Sequence, residues 1–281
     1  MSLWKKTPLW RVVSTWRGGV SMAVLVLIAL AAIFAPWVAP YPYDIQTLSA
    51  TNKEPSMANW LGTDEFGRDV LSRIIYGART SLTVALTAIC GSVSLGMCLG
   101  AAAAYFGGLF DRIVTAAVDL TWSFPEVLIA LIFVAILGAG LYSTMVAIGI
   151  AYLAQFTRLT RAQILTLKSE TYVEAAVNLG AGHFHILFRH LLPGFSSHII
   201  VVLTMSVPTM VLGETSLSFL GLGLRPPIVS WGVMLKECES IQTVANYPWL
   251  LLPVVLIVLT VLCFNFLGDG LRDAADPYSA R

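Results

Sequence analysis

The chain has 281 residues, 57% of them hydrophobic and only 12% charged, against about 25% charged in an ordinary soluble domain. With a mean hydropathy of +0.78, it carries more apolar surface than a soluble core of this length can bury, so lipid must solvate much of it. The net charge of +1 gives no reason to expect a nucleic-acid partner.

The first apolar run, "VSMAVLVLIALAAIFAPWVA" (20–39), follows Lys5, Lys6, Arg11 and Arg17. It is longer than the ~7–15-residue core of a signal peptide, so it reads as a retained membrane helix. A membrane helix needs about 20 apolar residues. Six segments qualify: roughly 20–39, 81–105, 113–138, 141–163, 197–221 and 247–267. The expected fold is therefore an all-α integral membrane protein with six transmembrane helices. Its parts are an N-terminal stretch (1–19), the first span (20–39), an outer segment (40–76), a five-helix domain (77–267) and a C-terminal tail (268–281).

Asp64/Arg68 and Asp69/Arg73 in the outer segment are i,i+4 pairs that suit a short exposed helix. Each such pair contributes only ~0.3–0.5 kcal/mol. In the second span Gly96, Gly100 and Ala104 recur every four residues. Small residues there allow close helix approach, either within this chain or to a second membrane subunit. Asp119 and Glu126 interrupt the third span, and Pro125 bends it. Such a break is tolerated where protein, not lipid, covers it.

Between the fourth and fifth spans, the segment 164–196 is too polar to cross a membrane. Thr171 and Glu174 fit a capping box for a short helix, Tyr172–Leu179. Gly180 suits the left-handed position that ends it. A second helix is expected from His183 to Leu192, with Phe184, Leu187, Phe188 and Leu191 on one stripe and Pro193 as its stop. Such a hairpin is either an ordinary amphipathic loop or a surface offered to a cytoplasmic partner. His183, His185, His190 and His198 cluster here, but there is no HExxH pattern and His183 and His185 face apart, so a solvated or partner-facing surface is the better reading.

Glu214 in the fifth span either bonds a neighbouring helix or lines a watery path. Cys90, Cys98, Cys238 and Cys263 show no metal-type spacing and read as small apolar packers, with Cys238 in an outer segment and open to an outside reagent unless packed against a partner. No glycine is followed by lysine, so the phosphate-cradling GxxxxGK[ST] loop of an ATPase is absent. No internal repeat of the kind usual in secondary transporters is evident. No convergent His/Asp/Glu set suggests a membrane-embedded enzyme.

Orientation follows from positive charge. With the N-terminus inside, the inner segments hold Lys5, Lys6, Arg11, Arg17, Arg112, Arg158, Arg161, Lys168, Arg189, Arg272 and Arg281, eleven in all. The outer segments hold six: Lys53, Arg68, Arg73, Arg79, Arg225 and Lys236. Both termini and the 164–196 hairpin are expected to be cytoplasmic.

"EAAVNLGAGHFHILFRHLLP" resembles the EAA loop of ABC-importer permeases through Glu174, Ala175, Ala176, Gly180, Leu192 and Pro193. "LGTDEFGRDVLSRIIYGARTSL" (61–82), "YFGGLFDRIV" (105–114), "SLSFLGLGLRPP" (216–227) with "WGVML" (231–235), and "FNFLGDGLRDAADP" (264–277) are similar, in the same order, to the dipeptide, oligopeptide and nickel permease branch. The added N-terminal span resembles its C-type subunit. The resemblance implies a non-catalytic subunit of the type I importer fold in a bacterial inner membrane. It implies pairing with a homologous permease, two cytoplasmic ATPase subunits that carry the ATP and Mg²⁺, and an external solute-binding protein. This chain would bind no cofactor or metal itself. The EAA loop would couple ATP hydrolysis to transport. Peptides are the expected solute, with nickel chelates and oligosaccharides as alternatives within the same architecture, and an ATP-independent secondary transporter as the rival of a different class.

Overall fold

The computed structural model describes residues 12–275, without the side chains of 196–198 and 275. Lys5, Lys6, Arg11 and Arg281, used for the orientation, lie outside the described residues, as does the side chain of His198. The described chain is helical, with one isolated bridge between Thr63 and Asp69.

Helix α1 (Trp16–Ile33) begins earlier than expected because the Thr15 hydroxyl accepts from the Gly18 N–H, relieving one unpaired donor of the first turn. Leu27 (66% exposed) and Ile33 (60%) face outward, as lipid-facing side chains do. The chain then crosses the outer segment to α2 (Val70–Phe106), capped by the Asp69 carboxylate accepting from Ser72 N at 2.8 Å. Its 37 residues reach about 55 Å, well beyond the ~30 Å hydrocarbon layer at one or both ends.

Helices α3 (Gly108–Trp122) and α4 (Glu126–Leu137) meet at a 96° bend. Pro125 sits at the break, as its missing N–H and fixed φ dictate. Helix α5 (Leu141–Lys168) returns alongside α2. The small-residue stripe is the seam between them: an added Cβ at Gly96 would lie 2.7 Å from Phe156 Cβ, and one at Gly100 would lie 2.3 Å from Thr157 O. Of the two uses open to that stripe, packing inside this chain is the one seen. Ser92 Oγ donates to Gly149 O across the same seam at 2.7 Å.

After the hairpin, α6 (Thr171–Asn178) and α7 (His183–Ile186), come α8 (Leu192–Phe219), the short α9 (Trp231–Lys236) and α10 (Leu252–Ala275). The main core is where α2, α5 and α8 meet, around Val84, Ile148, Met210 and Trp231. Among the described residues four helices are long and apolar enough to cross a membrane, or five if the bent α3–α4 pair counts as one span. Six spans were expected. The segment expected at 141–163 lies on α5, which at 28 residues is long enough at about 42 Å but carries Arg158 and Arg161 and is not among the helices apolar enough to count.

Candidate functional site

Three sites are built on this frame. The first is the hairpin. Val173, Ile186 and Leu191 are buried against Ala101, Ala104 and Ile164, which anchors it to the ends of α2 and α5. Tyr105 Oη lies 2.8 Å from His183 Nδ1, and Lys168 Nζ donates to Tyr105 O at 3.0 Å. The outer face is left open. Glu174 and Ala175 are exposed and Ala176 is half-buried. Among the described residues nothing hydrogen-bonds or ion-pairs with the Glu174 carboxylate. It borders a recess of about 590 Å³ with Tyr105, Lys168, Val177, Asn178 and His183.

The hairpin differs from expectation in three ways. Thr171 is not a cap: the helix starts one residue earlier, on Glu170, with no side-chain hydrogen bond, so no capping box forms. Pro193 does not stop a helix. The turn Leu187–Leu191 is π-helical, with Leu192 N donating to Leu187 O, and the chain runs on into α8. The widened turn shifts the hydrogen-bond register just where proline cannot donate. That shift also splits the expected stripe: Leu191 is buried, whereas Phe184 (75% exposed) and Phe188 (62%) are open and stack on each other. Gly180 takes the expected left-handed conformation (φ +81°), and a Cβ there would meet no atom within 4 Å. Its constraint is conformational, not crowding. His185 and His190 rings are 5.5 Å apart, yet among the described residues no His, Cys, Asp or Glu group is arranged to hold a metal.

The second site is an ion cluster on the outer segment. Asp64 and Arg68 do pair (2.7 Å), but both side chains are nearly buried, at 3% and 11% exposed. Arg73 pairs with Asp64 and Glu237 rather than with Asp69, which instead caps α2. Arg68 Nη2 donates to Glu237 Oε1 at 2.9 Å. The expected exposed helix is thus a buried clasp joining the loop 61–69 to the end of α9. Glu237 is the residue that sequence reasoning missed, because nothing local links it to a partner 164 positions away.

Cys238, next to it, is buried within its own chain, its thiol donating to Met234 O and Leu250 O at 3.4 Å. This corrects the expectation of an accessible thiol. Burial, with the Glu237 carboxylate adding to it, pushes the thiol up to about 11, and the thiolate is the reactive form. Native protein at pH 7.5 is therefore expected to leave Cys238 unlabelled by a maleimide that labels it after denaturation. Equal labelling of both states would refute the packing.

The third site is Glu214, fully buried on α8. The Ser81 hydroxyl donates to Oε2 and the Ser218 hydroxyl to Oε1, each at 2.8 Å, and Ser81 in turn accepts from the Trp231 N–H at 3.2 Å. One carboxylate thus ties α2, α8 and the start of α9 together. Glu214→Ala leaves these hydroxyls without their acceptor and is expected to cost about 2–3 kcal/mol, whereas Glu214→Gln keeps the shape and one acceptor oxygen and costs less. The thermal midpoints of the two variants test this, and equal midpoints would contradict it.

Comparison with known proteins bears on these sites together. Residues 96–279 match the family model described as binding-protein-dependent transport system inner membrane component. Residues 2–55 match the N-terminal transmembrane domain of oligopeptide transport permease C. The chain is 41% identical over 257 residues to the glutathione transport system permease protein GsiD of Shigella dysenteriae, covering 90% of this chain and 84% of that one. The protein of the same name from Pectobacterium atrosepticum is 43% identical over 258 residues, with the same coverage. The exposed hairpin, the all-helical frame and these matches lead to one conclusion: the chain is a multi-pass membrane permease subunit of the binding-protein-dependent ABC importer family, of the dipeptide/oligopeptide type.

Proposed function

We propose that this chain forms half of the translocation pathway of an ATP-driven importer of small peptides, as the C-type partner in a heterodimer with a related permease. Two cytoplasmic ATPases carry the ATP and Mg²⁺, and a solute-binding protein delivers the peptide from outside. This chain holds no cofactor of its own. Both termini and the hairpin face the cytoplasm of a bacterial inner membrane, six segments cross the bilayer, and α5 completes the count.

The observation that carries this reading is the open face of the hairpin. Glu174, Ala175, Ala176, Gly180, Leu192 and Pro193 are the contact set for the ATPase, and Val173, Ile186 and Leu191 behind them hand its motion to α2 and α5. An ATP-driven change in the ATPase pair then selects between two arrangements of the helices. Glu214 borders the pathway in one of those arrangements. Relatives named for glutathione transport favour a peptide-like solute over a nickel chelate or an oligosaccharide.

The test is reconstitution of the complete complex in proteoliposomes with labelled peptides. Uptake is expected to require ATP, both ATPases and the binding protein. Uptake that persists on a proton gradient after ATP is removed would favour a secondary transporter and defeat the proposal.

A further inference from the structure

The α3–α4 break holds a carboxylate that nothing above uses. Glu126 opens α4 at the 96° bend and is exposed. It lines a recess of about 350 Å³ with Thr121, Trp122, Ser123, Phe124 and Ala151. Helix α5 serves as a ruler for depth. Ala151 is ten residues from Leu141 and seventeen from Lys168, about 15 Å and 25 Å along the helix. With α5 crossing the bilayer as proposed above and the layer starting at Leu141, the recess lies about 15 Å into the ~30 Å hydrocarbon layer.

A carboxylate at that depth is costly unless it meets a partner or a watery path. Among the described residues no lysine or arginine pairs with Glu126. The nearby Arg158 is otherwise engaged, with its guanidinium 4.4 Å over the Trp122 ring and 3.9 Å from Asp119. Trp122 and Phe124 flank the recess, each 52% exposed. The unpaired Glu126 carboxylate, the hydroxyls of Thr121 and Ser123 and the Phe124 ring, in one recess, suit an organic cation small enough to pass.

We infer that Glu126 is a solute-recognition residue of the pathway that receives the primary ammonium group of a peptide as it crosses. This rests on the peptide-importer reading and names the part of the solute that the membrane subunit itself reads.

The experiment uses the permease–ATPase complex in nanodiscs without the binding protein, so that selection by that protein does not intervene. Binding of trialanine and of N-acetyl-trialanine is measured by equilibrium dialysis to the wild type, Glu126→Gln and Glu126→Asp. The wild type is expected to bind the free amine about tenfold more tightly, the size of one charge-assisted hydrogen bond. Glu126→Gln is expected to abolish that preference, and Glu126→Asp to keep most of it. Equal binding of the two peptides by the wild type, no binding of either, or an undiminished preference in Glu126→Gln would overturn the inference. So would loss of the sister permease from purified Glu126→Gln, which would make the carboxylate a subunit contact. ATP-driven uptake of trialanine by the whole wild-type complex, measured in parallel, reads the importer proposal separately.

Discussion

Asp64→Ala is expected to destabilise the outer segment by about 3–5 kcal/mol, the cost of removing one partner from a buried ion pair. The Asp64 carboxylate accepts from the Phe66 and Arg68 N–H groups as well as from both arginine side chains. Its loss strands the Arg73 guanidinium, only 2% exposed, with Glu237 alone, and frees two loop donors. An exposed i,i+4 pair would cost a tenth of this, about 0.3–0.5 kcal/mol, so the magnitude separates the two descriptions. Two measurements check it: the thermal midpoint of the purified complex and the protection of Cys238, which is packed directly behind Glu237. A lowered midpoint with Cys238 newly labelled is the expected result. A wild-type midpoint with a protected thiol would show that the clasp contributes little.

Gly100→Val is expected to part the α2–α5 seam. The first added carbon would lie 2.3 Å from Thr157 O and 3.0 Å from Arg161 N, and these are backbone atoms of a helix that cannot turn aside. Overpacking of this kind costs about 1–3 kcal/mol, occasionally more, and here it separates α2 from α5. Gly91 on the same helix is the control, since a Cβ there meets nothing within 4 Å. Gly91→Ala is expected to be neutral or to gain up to about 1 kcal/mol from helix propensity. Yield and thermal midpoint of both variants decide it. Equal behaviour would mean that the seam has slack the distances do not show.

What could be read in advance was whatever lay within one element. The apolar runs located the long helices but not their ends, since α2 begins at Val70, well before its apolar run; Pro125 marked the bend, and the four-residue spacing of Gly96 and Gly100 marked a close helix contact. Gly180 marked the left-handed turn. What could not be read was the pairing of distant residues. Asp64, Arg68 and Arg73 look like local helix pairs until Glu237 arrives from the far side of the chain. Cys238 looks exposed until α9 folds it under Leu250. Local hydrogen-bond competition hid the rest. Glu170 displaced Thr171 at the helix start, and a π turn carried the chain past Pro193, because widening the turn offset the missing N–H.

The ATPase contact of the hairpin is tested most directly by Glu174→Lys and Gly180→Val. Neither side chain position supports the fold: Glu174 is exposed, and the space around Gly180 is open. Valine at φ +81° strains the turn by about 1–2 kcal/mol, too little to unfold the membrane helices. The measurement is co-purification of the ATPase subunits with the permease pair, taken with ATP-driven uptake, for each variant. Both variants are expected to insert and to keep the sister permease while losing ATPase or uncoupling hydrolysis from uptake. Wild-type ATPase retention and wild-type uptake in both would contradict the account and leave the hairpin as a surface loop.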